Sequence, residues 1–344
     1  MFVPKLVKIL VLIYGWKWLY VVLPKIGTIK VRHHRLIPNG AALQAGDGGQ
    51  LECTQASVRL KQAQVIKKAD GWYINLRLQD SSIPDFKPEI TPTWDNSLGM
   101  DAVLHEDDYL ATSEGVKLPS LKSFRKSQTK LAKISRRKSA KKKGSKSRRK
   151  LAKKEAKLHQ QIARARRDHA FKTAHELLRT GKKVFFYEKL NLSGLSRRNK
   201  AKQDNTGKYL PNNQSAKSGL NKSWADAAFG QFFTILDYIA EKAGAVTKAV
   251  NPAYTSQILS YKDEFVFTDV SIRKYWDEEL QLTVDRDINS GINIKRVGLD
   301  VSPTIKRRKG NRVVVASTTN STSKEVLSVF YGLEKPTSVP AGSV

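Results

Sequence analysis

The chain has 344 residues, enough for one large domain or two to three smaller ones, and its apolar fraction of 40% suits a globular protein. The net charge of +31 and the sequence pI near 10.1 predict a polyanionic partner, with nucleic acid the first candidate and an anionic membrane surface the second. Because Cys53 is the sole cysteine, the chain alone can build neither a disulfide framework nor a cysteine-rich zinc site.

The N-terminal residues 1–24 are atypically apolar. Within residues 6–23, Lys8 and Lys17 limit the longest apolar run to about eight residues, against the roughly twenty that span a bilayer. No small-residue cleavage site follows, so a secretory signal is not indicated. The pattern favours a buried strand or helix, or an altered N-terminus. A membrane-associated protein anchored by this segment is the less favoured alternative.

Residues 25–92 predict a small, half-buried β-domain. The stretch QVIKKADGWYINLRLQ is typical of a hairpin that turns at Asp70-Gly71. A proline-rich segment, PDFKPEITPTWD, predicts the linker that follows. A second hairpin, SLGMDAVLH and DYLATSEGVKL, places Asp101 in its first strand. One face of the strand after the Asp70-Gly71 turn carries its apolar residues: Trp72, Ile74, Leu76 and Leu78.

A basic segment comes next, with 17 Lys or Arg and no acidic residue between Lys122 and Lys154. The turn residues around Gly144 separate two stretches with helical periodicity, which predicts a long basic helical hairpin over 120–180. A disordered basic tail is the alternative, and the apolar periodicity disfavours it. The apolar face of the second helix consists of Leu151, Leu158, Ile162, Phe171, Ala174 and Leu178.

The following segments predict a strand, a long loop and a helix. Val184 to Tyr187 form a short apolar run that ends at Glu188, which suits a buried strand with an acid at its end. A polar loop of nearly thirty residues leads to a helix expected to begin near Ser223, whose spacing to Asp226 resembles a capping box. The expected apolar stripe of this helix is Ala225, Ala228, Phe232, Ile235 and Ile239, and GAVTKAVNP then predicts another strand.

Three acids stand out by their context: Asp101 in a strand, Glu188 at a strand end, and Asp287 in LTVDRDINSGINI before a helix-like segment. Carboxylates on neighbouring elements are how proteins build two-metal sites that cleave phosphodiesters, with two Mg²⁺ ions about 3.5–4 Å apart. From the spacing alone, a set of solvated strand-end acids remains the alternative.

Five motifs follow one another along the chain: LGMDAVL, VFFYEKLNLSGL, GLNKSWADAAFGQF, NPAYTSQ and DRDINSGINI. In this order they resemble the TnpB (OrfB) family of insertion-sequence transposases, whose members are similar to compact type V CRISPR effectors and act as RNA-guided DNA endonucleases. The resemblance runs from about Leu23 to Asp300. LPKIGTIKVRHHR and KKADGWY resemble the family's wedge-type β-domain, and AKKKGSKSRRK resembles the basic helical insertion of its nuclease domain.

The resemblance implies an α/β fold: a RuvC-like nuclease domain over 93–300 with an RNase H-like mixed sheet, preceded by a small β-barrel-like domain. It implies that Asp101, Glu188 and Asp287 are the catalytic Mg²⁺ ligands, two ions being expected, with Asp285 beside them. The implied partners are DNA and a guide RNA from the transposon end, without a membrane, in a nucleoid-associated cytoplasmic protein. Sequence choice would be delegated to base pairing. The residues expected to bind nucleic-acid phosphates are Arg136, Arg137, Lys138, Lys141, Lys142, Lys143, Lys146, Arg148, Arg149 and Lys150.

The sequence departs from the family's zinc ribbon. Where the family carries four cysteines, over 255–284, this chain has Leu259, Lys262, Asp277 and Leu280, so zinc is not expected. Since structural zinc supplies much of the folding free energy of such modules, 258–284 is expected either to fold without metal or to be disordered.

Two further departures concern the catalytic motif and the chain ends. Val103 replaces the glycine that usually follows the first acid, and a β-branched residue there obstructs a close backbone approach. Residues 1–24 suggest a truncated gene, and the Ser/Thr-rich tail over 301–344 is expected to be disordered. The sequence therefore predicts an RNA-guided DNA endonuclease in a truncated or degenerate copy, or alternatively a catalytically impaired RNA- or DNA-binding protein.

Overall fold

The computed structural model describes residues 10–14, 18–23, 27–32, 43–45, 51–53, 58–80, 89–267, 269, 271–308, 311–316 and 323–334. The chain divides into two units, Met1–Phe86 and Lys87–Val344. Within the ranges that are described, no helix is both long enough and apolar enough to cross a membrane.

The described part of the first unit is a seven-stranded antiparallel sheet with the order β3-β2-β1-β4-β5-β6-β7. The apolar N-terminal segment supplies two of these strands rather than a helix. The predicted hairpin is confirmed, because β6 and β7 pair and the Lys68 N–H donates to the Gly71 carbonyl oxygen across the turn at 2.8 Å. The strands are β1 (Leu10–Tyr14), β2 (Trp18–Leu23), β3 (Gly27–Arg32), β4 (Leu43–Ala45), β5 (Leu51–Cys53), β6 (Val58–Lys67) and β7 (Trp72–Asp80).

The apolar face predicted for β7 is present except at the hairpin tip. Ile74, Leu76 and Leu78 are half-buried, and the alternate residues from Asn75 onward are exposed. Trp72 instead remains 68% exposed, and the Lys67 ammonium lies 5.3 Å from its ring centroid. The tip is therefore a solvent-facing cation–π pair rather than part of a core.

The second unit is built on a mixed five-stranded sheet with the order β10-β9-β8-β11-β14. Strands β8, β9 and β10 pair antiparallel, whereas β8, β11 and β14 run parallel. Among the described residues this gives an α/β unit with helices on both faces of the sheet. The strands are β8 (Ser97–Ala102), β9 (Asp108–Thr112), β10 (Lys117–Pro119), β11 (Val184–Glu188) and β14 (Val246–Val250), and the short β12 (Lys202–Gln203) and β13 (Tyr209–Leu210) form a separate hairpin.

Alternation along the strands assigns the two faces of this sheet. Leu98, Met100 and Phe185 point into the larger core with helices α2 (Lys146–Arg179) and α5 (Phe229–Lys242). Val184 and Phe186 point the other way, into a cluster with helix α6 (Arg286–Gly298). Because successive side chains of a strand alternate, Asp101 and Glu188 belong to the α6 face.

Helix α6 lies unusually close to β8 because glycines meet there. A Cβ on Gly99 would lie 2.2 Å from the Gly291 carbonyl oxygen and 2.6 Å from the Lys295 nitrogen, so the α6 backbone leaves no room for a side chain at Gly99. Val103, where the resemblance implies a glycine, is buried in an apolar cluster with Ile288.

The predicted basic helical hairpin is confirmed as α1 (Ser123–Ser139) and α2. Gly144 has a φ of +82° in the connecting turn, and the Ser145 hydroxyl caps α2 by accepting the Arg148 N–H at 3.2 Å. Leu131, Leu158 and Ile162 pack between the two helices. The apolar periodicity therefore holds the hairpin together while its basic residues face outward.

The helix predicted to begin near Ser223 begins earlier and ends sooner. Helix α4 spans Gln214–Ala227, and Ala228, with a φ of +53°, breaks the chain before α5. Asp226 is not part of a local capping box. Its carboxylate accepts the backbone N–H groups of Phe124 and Arg125 at 2.8 and 3.0 Å and thus caps α1, which is far away in sequence. The short helix α3 (Leu192–Leu195) lies earlier in the long polar connection.

The C-terminal segment, expected to be disordered, contains secondary structure in its described part. Strands β17 (Thr304–Arg308) and β18 (Asn311–Ala316) form a hairpin, and helix α7 spans Ser323–Glu334. Val326 and Phe330 of α7 are fully buried in the apolar cluster of the ribbon region. The tail contributes a packed helix because these two residues, four apart, face the same side.

Candidate functional site

Asp101, Glu188 and Asp287 lie at one end of the mixed sheet. The parallel register places Tyr187 opposite Met100, so Asp101 and Glu188 follow on neighbouring strands. The Ala102 N–H donates to the Glu188 carboxylate at 3.3 Å. Asp287 is in the first turn of α6, which covers this face. The structure thus brings the three sequence-predicted acids together from three separate elements.

The electrostatics of the site link the ionisation of these acids. Burial, together with the charges of Glu188 and Asp287, raises the pKa of Asp101 well above its usual value, and the nearby Arg286 offsets part of this rise. Burial raises the pKa of Glu188 to about 7, against the opposing hydrogen bond from Ala102. Carboxyl groups that lie near one another and are shielded from water resist ionisation. Asp101 and Glu188 are therefore stabilised by a proton or by another cation beside them.

Cations of the chain already contact Asp287, which is buried. Its two oxygens each lie 3.4 Å from a cationic nitrogen, one on Arg273 and the other on Lys117. Asp285 caps α6 by accepting the N–H groups of Asp287 and Ile288 at 3.0 and 3.2 Å, so this acid orients the helix rather than facing the other two. Lys117 contacts Asp285 as well, at 2.9 Å. These contacts raise the pKa of Lys117 above its usual value although burial alone would lower it.

A divalent ion suits the chemistry of the three acids. Carboxylate oxygens are the hard ligands that Mg²⁺ prefers, and Asp101 and Glu188 are only half-buried, so they remain reachable. Among the described residues, however, no group of three or more His, Cys, Asp or Glu side chains is gathered closely enough to hold a metal ion. To bind an ion together, the acids must draw closer, and Asp287 must turn from Lys117 or Arg273.

The ribbon region is folded where the structure describes it. Strands β15 (Lys274–Asp277) and β16 (Leu282–Asp285) form a hairpin, and Ile258 bridges to Phe265. Asp277 and Lys262 stand at two of the four positions where the resemblance implies cysteines. The Asp277 carboxylate lies 3.0 Å from the Lys262 ammonium and accepts a hydrogen bond from the Tyr261 hydroxyl at 2.8 Å. The other two positions, Leu259 and Leu280, belong to the same apolar cluster. An ion pair and apolar packing thus occupy the four positions where the family carries cysteines.

Helix α6 also joins this region to the sheet face that carries Asp101 and Glu188. The Asn289 side chain accepts the Ser260 N–H at 2.9 Å and donates to the Ile258 carbonyl oxygen at 2.7 Å. Asn293 donates to the same carbonyl oxygen at 2.7 Å. Arg296, one turn further on, forms a fully buried ion pair with Asp263 at 2.8 Å. The helix that carries Asp287 is therefore bonded along its length to the ribbon region.

Two family models match the chain. The OrfB model of IS605-type elements, described as a probable transposase, matches residues 85–199, and the model of the Cas12f1-like TNB domain matches residues 229–294. These matches include Asp101, Glu188 and Asp287. Over these residues the chain is similar to the OrfB transposases and to the Cas12f1-like TNB domain.

A curated relative extends the comparison over more of the chain. "Putative RNA-guided DNA endonuclease InsQ" of Escherichia coli K12 is 28% identical over 278 residues, which cover 80% of this chain and 61% of InsQ. The chain thus spans about three-fifths of the length of that relative.

Two solved structures are similar to the chain at low TM-scores. One is a Cas12f1–sgRNA–target DNA complex, whose protein chain is 15% identical to this chain. The alignment covers 72% of this chain and 57% of the Cas12f1 chain, with a TM-score of 0.39. The other is a CRISPR–Cas12f ternary complex with 16% identity. The alignment covers 69% of this chain and 44% of the Cas12f chain, with a TM-score of 0.41. With TM-scores this low, the two likenesses carry no argument about fold or function.

The surface predicted to bind nucleic acid is the α1–α2 hairpin. Eight of the ten basic residues predicted there are exposed. The other two are half-buried and serve the hairpin itself: Lys138 pairs with Glu155, and the Arg148 guanidinium donates to the Lys138 and Lys141 carbonyl oxygens at 3.1 and 3.0 Å. The exposed residues are Arg136, Arg137, Lys141, Lys142, Lys143, Lys146, Arg149 and Lys150.

Sequence reasoning missed two residues that contact Asp287 and misassigned the role of a third residue, which lies elsewhere. Lys117 sits in a short strand and Arg273 in a loop before β15, and neither position has a motif that predicts a contact with Asp287. Asp226 was noticed, but for a local cap rather than for the tertiary cap of α1. The sequence does contain one indication for Lys117, which lies between the apolar residues Val116 and Leu118. A lysine charge in apolar surroundings needs an acid nearby.

Proposed function

We propose that the chain is an RNA-guided DNA endonuclease of the TnpB type, with Asp101, Glu188 and Asp287 as its catalytic centre. The observation that carries the proposal is the convergence of these three acids from β8, β11 and α6, close enough for two of them to raise the pKa of the third. InsQ, by its name an RNA-guided DNA endonuclease, supports the same activity here.

The finer fold assignment is part of this proposal. We assign the mixed sheet with α6 and α5 to an RNase H-like, RuvC-like nuclease domain over 93–300, with the α1–α2 hairpin as its basic insertion. The sheet's strands β3 to β7, which lie within 25–92, are assigned to a barrel-like wedge domain, and β1 and β2 extend the same sheet before residue 25. Parallel pairing of β8 with β11, which puts two acids side by side at their carboxyl ends, supports the nuclease assignment.

Mg²⁺ held by the three acids would supply the positive charge that activates water and stabilises the leaving oxygen of a phosphodiester. The chain's own residues prepare that corner. Glu188, with a pKa of about 7, can hold or release a proton near neutral pH. Asp285 fixes the first turn of α6 and with it the backbone of Asp287. Exposed lysines and arginines of the hairpin bind phosphates, which gives affinity without reading sequence.

A guide exchange tests the proposed function. The chain is purified with RNA from the flanking transposon end and given plasmid DNA and Mg²⁺, and the guide portion of the RNA is then replaced. Cleavage should move to the site that matches the new guide and should disappear without RNA. Cleavage that ignores the guide would contradict the proposal.

The second candidate function is nucleic-acid binding without cleavage. It is favoured by one observation: both oxygens of Asp287 already face cations of the chain, Lys117 and Arg273. Tight, salt-sensitive RNA or DNA binding, with no cut products under conditions in which an intact relative cleaves, would support this candidate over the endonuclease.

A further inference from the structure

Lys117 stands among three carboxylates at the edge of the candidate site. Its ammonium lies 2.9 Å from Asp285, 3.2 Å from Asp108 and 3.4 Å from Asp287. The side chain is 25% exposed, so protein encloses most of it. The three acids come from different elements: β9, the end of β16 and α6.

We propose that Lys117 is a built-in counter-cation that holds Asp287 in the metal-free protein and competes with the divalent ion for that carboxylate. The inference rests on the proposed function, since it assumes that Asp287 is a ligand of the ion. It makes Lys117 a positioning residue that sets how much divalent metal the site requires.

The distances show how Lys117 can release Asp287. The two shorter contacts, to Asp285 and Asp108, hold the ammonium in place, whereas the contact to Asp287 is the longest. Asp285 uses its other oxygen to cap α6, so the lysine is tied through Asp285 to the helix that carries Asp287. When an ion takes Asp287, Lys117 therefore keeps two partners and is not left unpaired.

Removing the charge of Lys117 should have two opposite effects. The metal-free protein loses the cation that offsets its clustered acids and becomes less stable. A divalent ion, in contrast, loses both a competitor for Asp287 and a repelling charge a few ångströms away, so its affinity should rise about tenfold. A residue with only a structural role would lower stability without tightening metal binding.

Mn²⁺ titration followed by electron paramagnetic resonance tests this on the full chain without any cleavage assay. Lys117→Met should bind Mn²⁺ about tenfold more tightly than the parent, and Lys117→Arg should resemble the parent. The matched control is Lys172→Met, which removes a lysine that pairs only with the exposed Asp168 at 2.8 Å and should leave affinity unchanged. Circular dichroism establishes that each variant is folded.

A second variant keeps the test decisive if Lys117→Met does not fold. Asp108→Asn removes one anchor of the ammonium and one negative charge, so it should weaken Mn²⁺ binding. Asp101→Asn, made in the otherwise parental chain, shows whether the proposed metal site exists. If it weakens Mn²⁺ binding, the inference alone is overturned when Lys117→Met binds Mn²⁺ no more tightly than the parent or when Asp108→Asn binds it equally well. If Asp101→Asn leaves parental Mn²⁺ binding unchanged, the proposed metal site is wrong and the inference falls with it.

Discussion

Replacing Asp277 by alanine tests whether the ribbon region is held by an ion pair instead of a metal. The Asp277 side chain is 2% exposed and accepts the Tyr261 hydroxyl at 2.8 Å and the Leu280 N–H at 3.2 Å, besides pairing with Lys262 at 3.0 Å. The Lys262 ammonium also contacts Glu279 at 2.8 Å, but the Glu279 side chain is 78% exposed. The two acids thus share one lysine and differ in burial.

The expected loss for Asp277→Ala follows from those contacts. The Lys262 side chain is 25% exposed and can turn toward water, so the full penalty of about 3–5 kcal/mol for breaking a buried pair does not apply. The buried Tyr261 hydroxyl loses its acceptor, which costs about 1–3 kcal/mol, and the Leu280 N–H loses another. We expect a total near 3 kcal/mol, which corresponds to a melting temperature lower by roughly 6–12 °C.

Thermal unfolding followed by circular dichroism, in buffer without added divalent ions and with or without EDTA, measures this loss. Glu279→Ala is the matched control and should change stability by less than about 0.5 kcal/mol because its pair is exposed. EDTA should not alter the parent's melting temperature, and metal analysis should find no bound zinc. A melting temperature lowered by EDTA, or equal losses for Asp277→Ala and Glu279→Ala, would refute the reasoning.

Three further predictions concern packing, capping and pH. Gly99→Ala should destabilise by about 3 kcal/mol in urea unfolding because its Cβ would overlap the α6 backbone, whereas Gly71→Ala, with open space around it, should cost less than about 0.5 kcal/mol. Asp226→Ala should cost about 1–2 kcal/mol in the same assay by uncapping α1, and an unchanged stability would contradict the tertiary cap. The pKa of Glu188 is raised to about 7, so its contribution to stability is present below its unfolded pKa near 4.5 and is lost as pH rises through 7. Parental stability should therefore fall from pH 5 to 8 more steeply than that of Glu188→Gln, and parallel pH profiles would contradict the raised pKa.

Local patterns predicted much of the fold. The β6–β7 hairpin and the α1–α2 hairpin follow from alternation, turn residues and helical periodicity, all of which act over a few residues. The neighbouring positions of Asp101 and Glu188 were also predictable, since both end apolar strands and such strands commonly pair in one sheet. Their chemical role stays a prediction.

Long-range contacts decided what the sequence could not. Asp226 has the spacing of a local cap, but its carboxylate lies at the start of α1, about a hundred residues away, and the pattern cannot distinguish the two. The loss of the zinc ligands left two alternatives, folding without metal or disorder, because the sequence did not reveal that Lys262 would meet Asp277. It also did not reveal that Phe330 of α7 would pack into the same cluster. Such partners are selected by tertiary packing rather than by local propensity.

Single-turnover cleavage by the RNA-loaded chain, for the parent and three amide variants, tests the central claim most directly. Asp101→Asn, Glu188→Gln and Asp287→Asn should each slow cleavage by about a thousandfold or more, since each removes a ligand of an ion worth several kcal/mol in the transition state. RNA binding should stay at the parental level in all three. Asp168→Asn, which changes an exposed acid on α2, should cleave like the parent. Cleavage within tenfold of the parent by any of the three amide variants would contradict the claim that these acids form one catalytic centre.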